Sequence, residues 1–125
     1  MNVMKQIKLN IPIGQSQTDV YLMYLKITNI FNPLTTREQE LLAYIMYYNE
    51  LYSNIDSELR KRILFDYDTK VEIREKMNIS EANFNNLISN LKKKGVIVND
   101  NLHKAYDVLF DDKSEMVLKF FKHDS

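Results

Sequence analysis

Apolar and polar side chains alternate over residues 5–11, where Ile7, Leu9 and Ile11 are set against Lys8 and Asn10. A period of two is that of a half-buried strand, and Pro12 and Gly14 end it. The period then changes. Thr18 or Asp19 caps an apolar-rich helix that runs through Tyr21, Leu22 and Leu25 toward Ile30 and stops near Asn32-Pro33. Thr35 opens the clearest helix of the chain: its hydroxyl can accept from the backbone of Glu38 while Glu38 reaches back, the capping-box arrangement. Leu41, Leu42, Ile45, Met46 and Tyr48 follow at helical spacing. Over Tyr44–Tyr48 that helix is apolar or aromatic around much of its circumference, which calls for a partner or a second helix on each side. A further helical piece over Ser57–Leu64 presents Leu59, Ile63 and Leu64 on one side and Arg60, Lys61 and Arg62 around the rest.

Thr69, with Glu72 three residues on, predicts the start of another short helix that ends by Asn78, a residue that tolerates the left-handed backbone of a tight turn. Ser80 caps a longer helix in which Phe84, Leu87, Ile88 and Leu91 recur at helical spacing. Lys92, Lys93 and Lys94 complement the negative helix end, and Gly95 is the stop. Val96–Val98 and about Leu102–Phe110 read as two strands joined at Asn99-Asp100-Asn101. The apolar tail Met116–Phe121 fits either a strand or a helix.

The order from Glu72 to Ile97 (EIREKMNISEANFNNLISNLKKKGVI) is that of a short helix, a tight turn, a capped helix and a basic end before a hairpin. It resembles the helix-turn-helix of winged-helix regulators, including the MarR type. Ile73 and Met77 occupy the apolar positions of the first helix, Ile79 the turn position and Leu91 the late core position; residues 34–46 resemble the opening helix of such domains. The sequence departs from the pattern in four places. Arg74 stands where a small residue is usual, Asn78 replaces the turn glycine, and about twenty residues after Tyr48 form an extra helical segment. The hairpin offers only His103 and Lys104 as cations. The resemblance implies a mainly α fold with a small β hairpin (α+β), a winged helix-turn-helix with an N-terminal strand and a helical extension. We read the chain as a single domain over 1–125, with the helix-turn-helix at about 69–94 and the wing at about 95–110.

The same resemblance implies DNA as partner. A recognition helix lies in the major groove with its early residues against base edges, and asparagine can pair with adenine through two hydrogen bonds. At about 100° per residue, the face opposite Phe84 and Leu91 displays Ala82, Asn86, Ser89 and Lys93, flanked by Asn83, Asn85 and Asn90. The candidate DNA contacts are therefore Ser80, Asn83, Asn85, Asn86, Ser89 and Asn90 for the helix, with Lys92, Lys93, Lys94 and Lys104 for phosphates.

Charge qualifies this picture. The 17 basic and 17 acidic side chains cancel, whereas nucleic-acid binders are usually basic. Residues 69–104, however, carry seven basic against four acidic side chains, a local excess of +3, while the segments on either side are slightly acidic. Other chemistry finds little support. The chain has no cysteine, its two histidines, His103 and His123, lack metal-ligand spacing, and Asp66-Asp68 and Asp111-Asp112 read as solvated loop residues. A glycine-rich phosphate loop and a nucleophile elbow are both missing, so neither enzyme activity, metal nor cofactor is expected. Apolar residues make up 45% of the chain without a run of the ~20 that a membrane span needs. With no secretory pattern at the start, the expected location is the cytoplasm, or the host cytoplasm or virion for a phage-encoded protein.

Two functions follow. The first is a sequence-specific DNA-binding transcriptional regulator, with a possible homodimer contact through the N-terminal helices. The alternative is a protein-docking module or structural subunit of a phage or other assembly, engaging a partner through the N-terminal helices and the tyrosine-rich helix (Tyr44, Tyr47, Tyr48, Tyr52), since tyrosine suits interfaces.

Overall fold

The computed structural model describes residues 2–10, 17–109 and 115–122, with side chains over 18–109. Ile11, Pro12, Gly14, Phe110, Asp111-Asp112 and His123 lie outside them. The element order is β1 (Asn2–Asn10), α1 (Gln17–Thr28), α2 (Thr36–Leu51), α3 (Ser57–Leu64), α4 (Tyr67–Met77), α5 (Glu81–Lys93), β2 (Ile97–Val98), β3 (Asn101–Leu102) and β4 (Glu115–Lys122).

Two compact units result, one formed by the paired ends of the chain and one by residues 16–109. In the first, β1 pairs antiparallel with β4, from Asn2 opposite Lys122 to Asn10 opposite Glu115, with an irregularity between Val3 and Lys5. The alternation in residues 5–11 thus marks a strand that begins earlier, at Asn2, and the tail is its partner strand.

In the second unit α2 is the central helix, packed on α1, α3, α4 and α5. Leu41, Leu42, Ala43, Ile45, Met46, Tyr48 and Asn49 are all buried, which is why its sequence is apolar on several sides. Of the tyrosine cluster, Tyr48 is buried while Tyr44, Tyr47 and Tyr52 are half-buried, and Lys76 lies over the rings of Tyr47 and Tyr48 at 5.6 and 5.2 Å. From α1, Val20, Tyr21 and Leu25 close one side, and the Tyr21 hydroxyl donates to Glu50 at 2.9 Å. Helix α1 starts at Gln17, so Thr18 and Asp19 lie in its first turn instead of capping it. It ends at Thr28, before Asn32-Pro33, where Asn29 turns its side-chain oxygen to the Leu34 backbone N–H. No helix among the described residues is long and apolar enough to cross a membrane.

Candidate nucleic-acid interface

Helix α4 begins two residues before Thr69. The cap is Asp66, whose carboxylate accepts from the Thr69 N–H at 2.9 Å. Aspartate is a stronger cap than threonine, and the chain leaving α3 at Phe65 puts it in place. Thr69 is buried instead, donating to the Ile63 carbonyl at 2.9 Å and meeting the Tyr52 hydroxyl at 3.2 Å, so it stitches α4 to α3. Glu72 is freed from capping and faces the buried Tyr48 hydroxyl. Burial first, and that carboxylate second, push the phenol above its ordinary range.

Two left-handed residues then set the geometry of the motif. Asn78, at φ 54°, ends α4 while the Ile79 N–H reaches back to the Arg74 carbonyl at 3.2 Å. Gly95, at φ 76°, ends α5 in the same way, with the Val96 N–H on the Leu91 carbonyl at 3.0 Å. Both are Schellman-type closures that satisfy late helix carbonyls. Between them Ser80 caps α5, its hydroxyl accepting from the Asn83 N–H at 3.1 Å. Phe84 and Leu91 are buried, with Leu87 and Ile88 half-buried beside them. That anchoring leaves Asn83, Asn85, Asn86, Ser89, Lys92 and Lys93 exposed and Asn90 half-buried. Asn85 also borders a small crevice between α4 and α5 that holds Arg74, whose Nε is buried without a hydrogen-bond partner.

The cations divide. Lys93 makes no ion pair among the described residues, and Lys92 meets Asp100 at a loose 3.8 Å. Lys94 is bound elsewhere: its ammonium lies 2.5 Å from the buried carboxylate of Glu38, so it straps α5 to the start of α2. Lys104 is exposed in the turn that follows β3.

The hairpin is much shorter than a wing reaching Phe110. Asn99 and Asp100 both have positive φ, 52° and 59°, the two-residue type I′ loop that suits the twist of paired strands. Three residues separate Gly95 from Asn99, and the first, Val96, gives its N–H to the helix closure, so β2 is only Ile97–Val98 and its partner is equally short. The chain after Leu102 turns into the core instead. Tyr106 is buried, its hydroxyl accepting from Asn32 at 3.0 Å, and Tyr24 donates to the Ala105 carbonyl at 2.5 Å.

Side chains outside α5 that the sequence reading left out of the site border the same edge of it. Lys61 and Arg62 of α3 and Lys70 of α4 line a cleft shared with Lys92. The basic run Arg60-Lys61-Arg62 is plain in the sequence, but its neighbours are set by packing.

Three helices with a tight turn between the last two, followed by a small antiparallel hairpin, define a winged helix-turn-helix, a fold whose general use is DNA binding. Residues 66–108, about a third of the chain, match the family model of the MCM protein C-terminal winged helix-turn-helix domain. The match begins at the Asp66 cap and spans α4, α5 and the hairpin; it supports the fold and gives no support to the MarR type or to a phage origin. No curated protein and no solved structure gives a match.

Proposed function

We propose that this chain is a sequence-specific DNA-binding protein, a transcriptional regulator that places α5 in the major groove. The observation that carries this reading is the outer face of α5, where Asn86, Ser89 and Lys93 stand exposed on a helix held rigidly from behind by Phe84 and Leu91. Asparagine and serine there offer both donors and acceptors to base edges. Lys92, Lys93 and Lys104 supply charge for phosphates, which fix position and carry no sequence information. Ser80 is spent on its cap and Lys94 on Glu38, so both act by holding α5 in place. On this reading the protein acts by binding alone, without a cofactor, in the cytoplasm where its DNA lies.

The test is selection of a preferred site from random duplexes, followed by Asn86→Ala. Loss of about 1–3 kcal/mol on the preferred site, with little loss on unrelated DNA, is expected. Equal weakening on both shows that α5 does not read bases.

A companion reading concerns association. Ile30 and Phe31, in the turn that follows α1, are each 79% exposed. Such side chains suit a homodimer or a protein partner engaging through the N-terminal helices. Sedimentation of Phe31→Ser beside the unmodified chain tests it, with loss of self-association the expected result.

A further inference from the structure

A cleft of about 520 Å³ opens between α3, α4, the later part of α5 and the β2–β3 hairpin. It is lined by the apolar Phe65, Ile88 and Ile97 and by the cations Lys61, Arg62, Lys70 and Lys92. Among the described lining residues Glu58 and Asp100 alone oppose these cations, leaving the lining at +2 in a chain whose formal charge is zero. Among the described residues Lys61, Arg62 and Lys70 enter no ion pair, and the exposed pairing of Lys92 with Asp100 is worth little. Unpaired like charges around a concave surface repel one another, and a bound anion relieves that repulsion.

We propose that this cleft seats the sugar-phosphate backbone of the DNA whose bases α5 reads, which makes α3 part of the DNA interface. The proposal rests on the major-groove reading of α5. A helix lying in the major groove has a phosphate backbone along its flanks, and phosphate contacts fix its register. Lys92 stands about 100° around α5 from Lys93, which places it on such a flank, and it is the residue through which the reading face runs into the cleft. Lys61, Arg62 and Lys70 extend the same cationic edge beyond α5. The Arg62 guanidinium brings a planar fork suited to two phosphate oxygens. The hairpin cannot supply this anchor itself, because its loop carries Asn99 and the acidic Asp100 and no cation.

The test is a salt titration of the full chain on its preferred duplex and on unrelated duplexes, for the unmodified protein, Lys61→Ala/Arg62→Ala and Lys93→Ala. Lys61 and Arg62 are both exposed, so the double variant should melt like the unmodified protein. Its affinity for both kinds of DNA should fall about tenfold at moderate salt, and its log–log salt slope should flatten by about two units. An unchanged slope in the double variant, with Lys93→Ala still flattening it, overturns the cleft and leaves the reading of α5 standing. Loss of binding to polyglutamate with DNA binding intact also overturns it, and assigns the cleft to an acidic protein. If the unmodified chain binds no duplex at low salt, the DNA reading fails and the cleft proposal fails with it.

Discussion

Glu38 and Lys94, 56 residues apart, meet through a single oxygen. The Glu38 Oε1 atom accepts from the Thr35 N–H at 2.9 Å, closing the capping box of α2, and from the Lys94 ammonium at 2.5 Å. Glu38 is 2% exposed, so the start of the central helix and the end of α5 share a nearly buried charge. Burial pushes its carboxyl upward, but the Lys94 ammonium and the Thr35 hydrogen bonds outweigh this, and the net shift is downward. The orientation of α5 on α2 is therefore tied to the ionised state of one carboxylate.

That tie predicts an acid-sensitive contribution to stability. A carboxyl whose folded pKa lies below its unfolded value stabilises the fold above the unfolded value, and the contribution is lost as pH falls through the folded one. Lys94→Met should cost about 2 kcal/mol near neutral pH, the scale of a hydrogen bond to a charged group. Melting curves across acid pH should show the gap between variant and unmodified protein closing below the ordinary carboxylate range. A gap independent of pH would show that Lys94 acts through packing alone.

The adjacent lysines should separate in function. Lys93→Ala should leave melting unchanged while weakening binding to all DNA sequences and flattening the salt slope by about one unit. Lys94→Ala should lower the melting temperature instead and leave the slope nearly intact. The two measurements, calorimetry and a salt titration, would give matching results for both variants if Lys94 contacted phosphate.

Phe84 should be the most damaging truncation in α5. It is 2% exposed and lies behind the exposed outer face of α5, in the core with Ile73, Met77 and the buried residues of α2. Phe84→Ala should cost about 3–5 kcal/mol, a large share of a small domain's stability, seen in chemical denaturation. A midpoint equal to that of the unmodified protein would mean that α5 is not held by this residue.

Much of the architecture is legible one residue at a time, because caps and turns depend on neighbours within about one helical turn. Thr35 with Glu38, Ser80 at the start of α5, Asn78 and Gly95 at the helix ends and the Asn99-Asp100 loop all satisfy their own local backbone, and the chain alone determines them. The multi-sided apolar character of α2 likewise announces a central helix. Where two local signals compete, as Asp66 and Thr69 do for the start of α4, packing decides: Thr69 is claimed by Ile63 and Tyr52, and Asp66 takes the cap. Tertiary structure also decides the pairing of β1 with a strand more than a hundred residues away, and the turn of the chain toward Tyr106 that cuts the wing short. For the interface the division is sharpest. Three consecutive lysines look alike in sequence, yet Lys94 is drawn onto a distant carboxylate while Lys92 opens onto a cleft with Lys61 and Arg62. Charge acts through space across folded distances, so the partner of each cation is set only when the helices have packed.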